Sequence, residues 1–140
     1  MYILDTDTAT LWLRYAAQYP RLRKKIEAAP FEQIWVSIVT VTELMRGALA
    51  YLKKREQKGE FVLGFELAAA IITDIKKLQI LPFDEAAKSV YRAMPANVKR
   101  VGAKDCQIAA IAIANGFTVV TRNVRDFQRI PDVKFADWTT

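Results

Sequence analysis

Asp5, Glu43, Asp105 and Asp126 each stand just after an apolar, β-like run or at the opening of a helical one. Asp5 follows Tyr2-Ile3-Leu4. Glu43 follows Ile34–Val39, Asp105 opens the run CQIAAIAIAN, and Asp126 lies just past Phe117–Thr121. In a parallel α/β sheet such places converge on the carboxyl edge of the strands, where ligands bind. Acids brought together repel, and each is hard to keep ionised without a cation between them. A divalent metal resolves that repulsion and steadies the charge on a scissile phosphate. Each acid also has a purely structural explanation. Asp5 suits the cap of the next helix, and Glu43 stands three after Thr40, as in a capping box. Asp105 suits the positive end of its helix, and Asp126 a turn with Asn123. Those explanations work singly, but they leave unexplained why all four occupy topologically equivalent positions. Asp7 lies two residues beyond Asp5, in an outer position. Asp84 reads as a helix cap, and Asp74, Glu60, Glu66 and Asp132 as solvated charges.

Absences narrow the chemistry. The chain has no histidine and one cysteine, Cys106. This excludes an imidazole base, a histidine-ligated metal, an internal disulfide and a multi-thiolate zinc site. Cys106 sits inside an apolar helical run and reads as a small core residue. Carboxylates alone favour hard cations such as Mg²⁺ or Mn²⁺. A formal net charge of +6 invites a polyanion. No apolar run approaches the roughly 18 residues of a membrane span, and the N-terminus lacks the pattern of a secretory signal. The expectation is one cytoplasmic domain spanning 1–140.

The elements that must position the acids follow in order. Tyr2–Leu4 is a short strand, and Asp5-Thr6-Asp7-Thr8 starts a helix with Leu11, Trp12 and Tyr15 on one side. A basic amphipathic helix runs through Arg21–Ile26 until Pro30. Ile34–Val39 is the second strand, and Thr40 opens a helix through Leu44, Ala48 and Leu52 that ends by Gly59. Phe61–Leu78 is a further helix. Ile80–Phe83 is a short strand whose proline suits a strand end. Asp84 caps the next helix, which Pro95 stops, and Asn97–Arg100 is a polar loop. Val101–Phe127 then forms one unit. Its helix is apolar on nearly every face, so it must be buried, and it closes at Asn115-Gly116. Phe117–Thr121 is a buried strand. Val133–Phe135 is the last strand, with Trp138 packed behind it. Alternating strands and helices predict an α/β fold: a parallel sheet with helices on both faces.

The ordered set YILDTD, SIVTVTELMRGA, ILPFDEAA, GAKDCQIAAIAIANGFTVVTRNVRDF and VKFADW resembles the PIN-domain ribonucleases, most closely the VapC-type toxins of bacterial toxin–antitoxin pairs. The resemblance covers nearly the whole chain. It implies a three-layer α/β/α sandwich with a mostly parallel sheet, and Mg²⁺- or Mn²⁺-dependent RNA cleavage. By motif, Asp5, Glu43, Asp105 and Asp126 match the family's catalytic and metal-holding acids. Thr6, Thr121 and Asn123 match polar groups behind them. Asp7 is a departure, since the family often has Asn or another small polar residue there. The resemblance further implies an RNA substrate, an antitoxin partner, a homodimer and no membrane attachment. Arg46, Lys104, Arg122 and Arg125 are the cations expected to hold the RNA backbone, with Arg46 alternatively paired to Glu43 one helical turn away. The wider set offers Arg14, Arg21, Arg23, Lys24, Lys25, Lys99 and Arg100.

Two alternatives stand beside this reading. LDTDT also resembles the start of haloacid-dehalogenase-like phosphatases, which would make Asp5 a nucleophile. Ala103 and Ala9 break that pattern, and the chain is short for that family. The other alternative is a non-catalytic PIN-like module for binding RNA or a partner, against which all four acids are present.

Overall fold

The computed structural model describes residues 1–140. Five short strands form one parallel sheet: β1 (Tyr2–Leu4), β2 (Ile34–Ser37), β3 (Ile80–Leu81), β4 (Thr118–Val120) and β5 (Lys134–Ala136), in the order β3-β2-β1-β4-β5. The helices are α1 (Thr6–Tyr15), α2 (Pro20–Ala28), α3 (Ile38–Gln57), α4 (Phe61–Lys76), α5 (Glu85–Ala93), α6 (Ala96–Lys99), α7 (Ala103–Asn115) and α8 (Val124–Phe127).

Side chains alternate across a strand, so neighbouring residues feed opposite faces. Register aligns Ile3 with Trp35 and Val119, and Leu4 with Val36 and Val120. The first set joins a core with Cys106, Ile108, Ile111 and Phe127 from α7 and α8. The second joins a core with Leu11, Leu22 and Ile26 from α1 and α2. Helices therefore cover both faces in three layers. Cys106 is buried within the first core, as its apolar setting implies. Gly116 takes the left-handed conformation (φ 70) that ends α7. No helix is long and apolar enough to cross a membrane.

Several boundaries differ from the sequence expectation, each for a local reason. The second strand stops at Ser37, because the Ser37 hydroxyl accepts the Thr40 N–H at 3.1 Å and caps α3. Residues Ile38 and Val39 are helical despite their β-branched side chains. The stretch Asn97–Arg100 is not a plain loop: Ala96–Lys99 is one helical turn that tucks Val98 into the core. A single buried residue leaves no periodicity to detect. Asp74 is not a solvated charge. It pairs with Arg14 at 3.0 Å and ties α4 to α1, which withdraws Arg14 from the set of free RNA-facing cations. Glu60 likewise pairs with Arg55 at 2.7 Å across the α3–α4 turn.

Candidate active site

The chain leaves β1 toward β2 and β3, then returns to pair β4 on the other side of β1. The carboxyl ends of β1 and β4 thus flank a switch point, where open α/β sheets bind ligands. The Asp5 N–H donates to the Val120 carbonyl at 3.1 Å, which locks the two strand ends together.

Asp5 follows β1 directly and is 4% exposed. Its Oδ1 accepts the Thr8 N–H at 2.8 Å, so it does cap α1. Burial pushes its carboxyl above the ordinary range. Hydrogen bonds from Thr121 and Thr8 offset part of that rise, and the charge on Asp7 adds to it. Capping and a place in the site are therefore compatible roles for one side chain.

Glu43 lies in the second turn of α3, half-buried. Its Oε1 accepts the Thr6 hydroxyl at 2.7 Å, and Thr6 Oγ1 lies 3.0 Å from Thr40 Oγ1. Thr6 has one proton, which it gives to Glu43, so Thr40 donates to Thr6. This corrects two sequence expectations. Glu43 is not the capping partner of Thr40, because Ser37 performs the capping. Nor does Arg46 pair with Glu43; Arg46 is exposed, and no ion pair joins them.

Asp105 is the third residue of α7, and Asp126 lies in the single turn of α8. One side chain holds both: Asn123 Nδ2 donates to Asp105 Oδ2 at 3.1 Å and to Asp126 Oδ2 at 2.9 Å. Asn123 is itself set by its N–H, which donates to Thr121 Oγ1 at 2.8 Å. Burial raises the Asp105 carboxyl most. The charge of Asp5 raises it further, the Asn123 hydrogen bond lowers it, and Asp126 and Glu43 add smaller upward pushes. Asp105 is therefore the point at which the charges of the other three acids meet.

Three of them line a cleft of about 410 Å³ formed by Asp5, Thr6, Asp7, Thr10, Glu43, Lys104, Asp105 and Asn123, with no apolar residue. Asp126 reaches it through Asn123. Thr10 escaped sequence reasoning, although it stands one turn beyond Thr6 on the same face of α1. As placed, the acids do not form a closed set of three ligands around one point. Their chemistry still suits a hard cation: the donors are all oxygen, Asp5 and Asp105 are partly desolvated, and the groups that answer them are neutral hydroxyl, amide and backbone N–H donors. Around the rim, Lys104 lines the cleft, Arg122 pairs with Asp7 at 2.9 Å, and Arg125 is exposed. An apolar cleft of about 350 Å³, lined by residues including Trp12, Phe31, Trp35 and Leu78, shares no residue with the acidic one.

Comparison with known proteins agrees with this geometry. The sequence matches the PIN domain family over residues 2–133. It is 30% identical to the tRNA(fMet)-specific endonuclease VapC of Salmonella typhimurium, covering 98% of this chain and 97% of that protein. It is 28% identical to the toxin FitB of Neisseria gonorrhoeae, covering 99% of each. Among solved structures, DNA-bound VapBC from Salmonella typhimurium is similar at a TM-score of 0.77 and 27% identity, covering 98% of this chain and 97% of the other.

Proposed function

The chain belongs to the PIN domain family and, within it, to the VapC ribonuclease toxins, and on that premise we propose that it is a divalent-metal-dependent endoribonuclease paired with an antitoxin. The observation that carries the metal-dependent part is the convergence of oxygen donors: Asp5, Glu43 and Asp105 line one cleft without apolar residues, and Asn123 bridges Asp105 to Asp126. Asp5, Glu43, Asp105 and Asp126 are the residues that would hold Mg²⁺ or Mn²⁺. The bound ion supplies positive charge that answers the acids and the charge developing on a phosphodiester.

The chain's own groups supply the rest. Thr6 fixes the Glu43 rotamer, and Asn123 fixes Asp105 and Asp126, which preorganises the donors. With no histidine, a carboxylate or solvent must take the proton of the attacking water. Lys104, Arg122, Arg125 and Arg46 are the cations proposed to hold the RNA backbone. Family membership and the pairing of Asp7 with Arg122 leave the phosphatase alternative without support. Retention of all four acids argues against a binding-only module.

Partners are proposed from surface and kinship. Met45, Leu49, Phe61, Val62, Leu63, Phe65 and Ile72 are large apolar side chains exposed on α3 and α4. Such a patch marks an interaction surface, and we assign it to a second copy of the chain or to the antitoxin. The proposed compartment is the cytoplasm.

The test is cleavage by purified protein with Mg²⁺ or Mn²⁺ on structured RNA, with tRNA(fMet), the substrate of the Salmonella relative, among the first candidates. EDTA should stop the reaction, and Asp5→Asn or Asp105→Asn should abolish it in folded protein. Cleavage that survives exhaustive chelation overturns the metal-dependent mechanism.

A further inference from the structure

Arg122 is held on two sides at the mouth of the acidic cleft. Its Nε donates to Asp7 Oδ2 at 2.9 Å, and its Nη1 donates to the Tyr19 hydroxyl at 3.3 Å. The guanidinium also lies 5.5 Å from the centre of the Tyr19 ring. The pieces come from distant parts of the chain: Asp7 from the first turn of α1, Tyr19 from the turn ahead of α2, and Arg122 from the residue before Asn123. Arg122 is thus the chain neighbour of Asn123, whose side chain joins Asp105 to Asp126, while Asp7 lines the cleft itself.

Stability does not account for this arrangement. The Arg122 and Asp7 side chains are 40% and 54% exposed, and exposed pairs contribute little to folding. An acid in the first turn of α1 favours the helix without any arginine partner. The arrangement does answer a problem the site creates. An arginine on a flexible stem at the rim of a cleft lined by carboxylates would be drawn toward them and compete with any cation they bind. Asp7 and Tyr19 hold it at the rim instead. A guanidinium has five N–H donors in a fixed fork, and the two bonds described leave others for a phosphate.

We propose that Asp7 and Tyr19 form a bracket that positions Arg122 to receive a non-scissile phosphate of the RNA strand, so that Asp7 is a positioning residue and not a metal ligand. This rests on the ribonuclease reading above. It has a counter-intuitive consequence. Removing a negative charge from the mouth of a site that binds a polyanion should tighten binding if bulk electrostatics alone mattered. If Asp7 positions Arg122, its removal weakens binding.

The experiment uses the full chain and a fluorescein-labelled single-stranded RNA that the wild type cleaves. KM and kcat are measured across a KCl series with Mg²⁺, and Mn²⁺ binding to RNA-free protein is measured by calorimetry. Arg122→Ala and Asp7→Ala should each raise KM by roughly tenfold, the lower range for a charge-assisted contact. The loss should fall on KM more than on kcat. Each variant should flatten the slope of log(kcat/KM) against log salt by about 0.7, the value for one single-strand phosphate. The double variant should be no worse than Arg122→Ala alone, because the two act as one unit. Mn²⁺ affinity should stay within about threefold of wild type in both, because each change removes one exposed, solvent-screened charge and no ligand. Arg122→Lys should restore part of the salt slope. Asp7→Asn retains an acceptor oxygen and the start of α1, and should fall between wild type and Asp7→Ala. Tighter RNA binding by Asp7→Ala, or weaker Mn²⁺ binding with a fallen kcat, overturns the bracket while wild-type cleavage upholds the ribonuclease reading. A wild type that cleaves no RNA in Mg²⁺ or Mn²⁺ overturns both.

Discussion

The Thr6 hydroxyl reaches from α1 to Glu43 on α3 at 2.7 Å, with the Thr40 hydroxyl behind it at 3.0 Å. Glu43 therefore belongs to the cleft through a side-chain relay and takes no part in capping its own helix. Glu43→Gln keeps the length of the side chain and an oxygen to accept from Thr6, so the melting temperature should stay close to wild type. It removes a charged donor from a hard-cation site, so RNA cleavage should fall steeply. A paired thermal melt and rate measurement on this one variant checks both halves. Near-normal cleavage would remove Glu43 from the site.

Asn123 joins Asp105 and Asp126 by donating to both. Asn123→Asp would replace that donor with a further acid among acids. In chelator the variant should melt below wild type, because like charges in a partly desolvated cleft repel. Mg²⁺ should recover much of the loss, and cleavage should remain about 10- to 100-fold below wild type, as for loss of an outer partner of metal ligands. Differential scanning fluorimetry with EDTA and then with Mg²⁺ reads the first effect. An equal melting loss in both buffers would mean that Asn123 serves the fold and not the charges.

Asp5 and Asp105 both have carboxyls raised above the ordinary range, chiefly by burial. A raised acid keeps its proton to higher pH when folded than when unfolded. Across the window from the ordinary carboxylate value up to the raised one, the folded state binds more protons, so its stability falls as pH rises. The penalty then persists to neutral pH. Asp105→Asn removes its share. In chelator at neutral pH this variant should melt above wild type, and the difference should shrink as pH falls below the ordinary carboxylate value. A variant that melts at or below wild type at pH 7 would show that Asp105 is not held against its neighbours' repulsion.

The layers were largely legible in the sequence, because each strand is a short apolar run alternating with helices, whereas the strand order depends on which runs pair and leaves no local signal. Asp84 shows a local signal that works: its side chain accepts the Ala87 N–H at 3.0 Å. Glu43 shows one that misleads, since the TVTE spacing fits a capping box while Ser37, three residues earlier, is the cap. Residues whose roles depend on distant partners were not readable in this way. Asp74 looks solvated until α1 brings Arg14 against it. Tyr19 gains its place only when β4 delivers Arg122, 103 residues later.

Helix α4 packs on α3 through its single buried residue, Gly64, where an added Cβ would lie 2.6 Å from Leu52 Cδ1 and 3.2 Å from Leu52 Cα. The close approach leaves Phe61, Phe65 and Ile72 exposed, at positions that share one face of α4. Two variants separate fold from assembly. Gly64→Val forces side chain into backbone and should cost about 1–3 kcal/mol of stability. Phe65→Ser with Ile72→Ser alters residues already in solvent, so folding stability should change by only about 0.5 kcal/mol per site. If this face meets a second copy or the antitoxin, the double variant should lose mass in light scattering, or fail to co-purify with a co-expressed antitoxin, while its melt stays near wild type. Unchanged assembly in both assays would place the interface elsewhere. A wild type that is strictly monomeric at high concentration and takes no soluble partner would remove the assignment altogether.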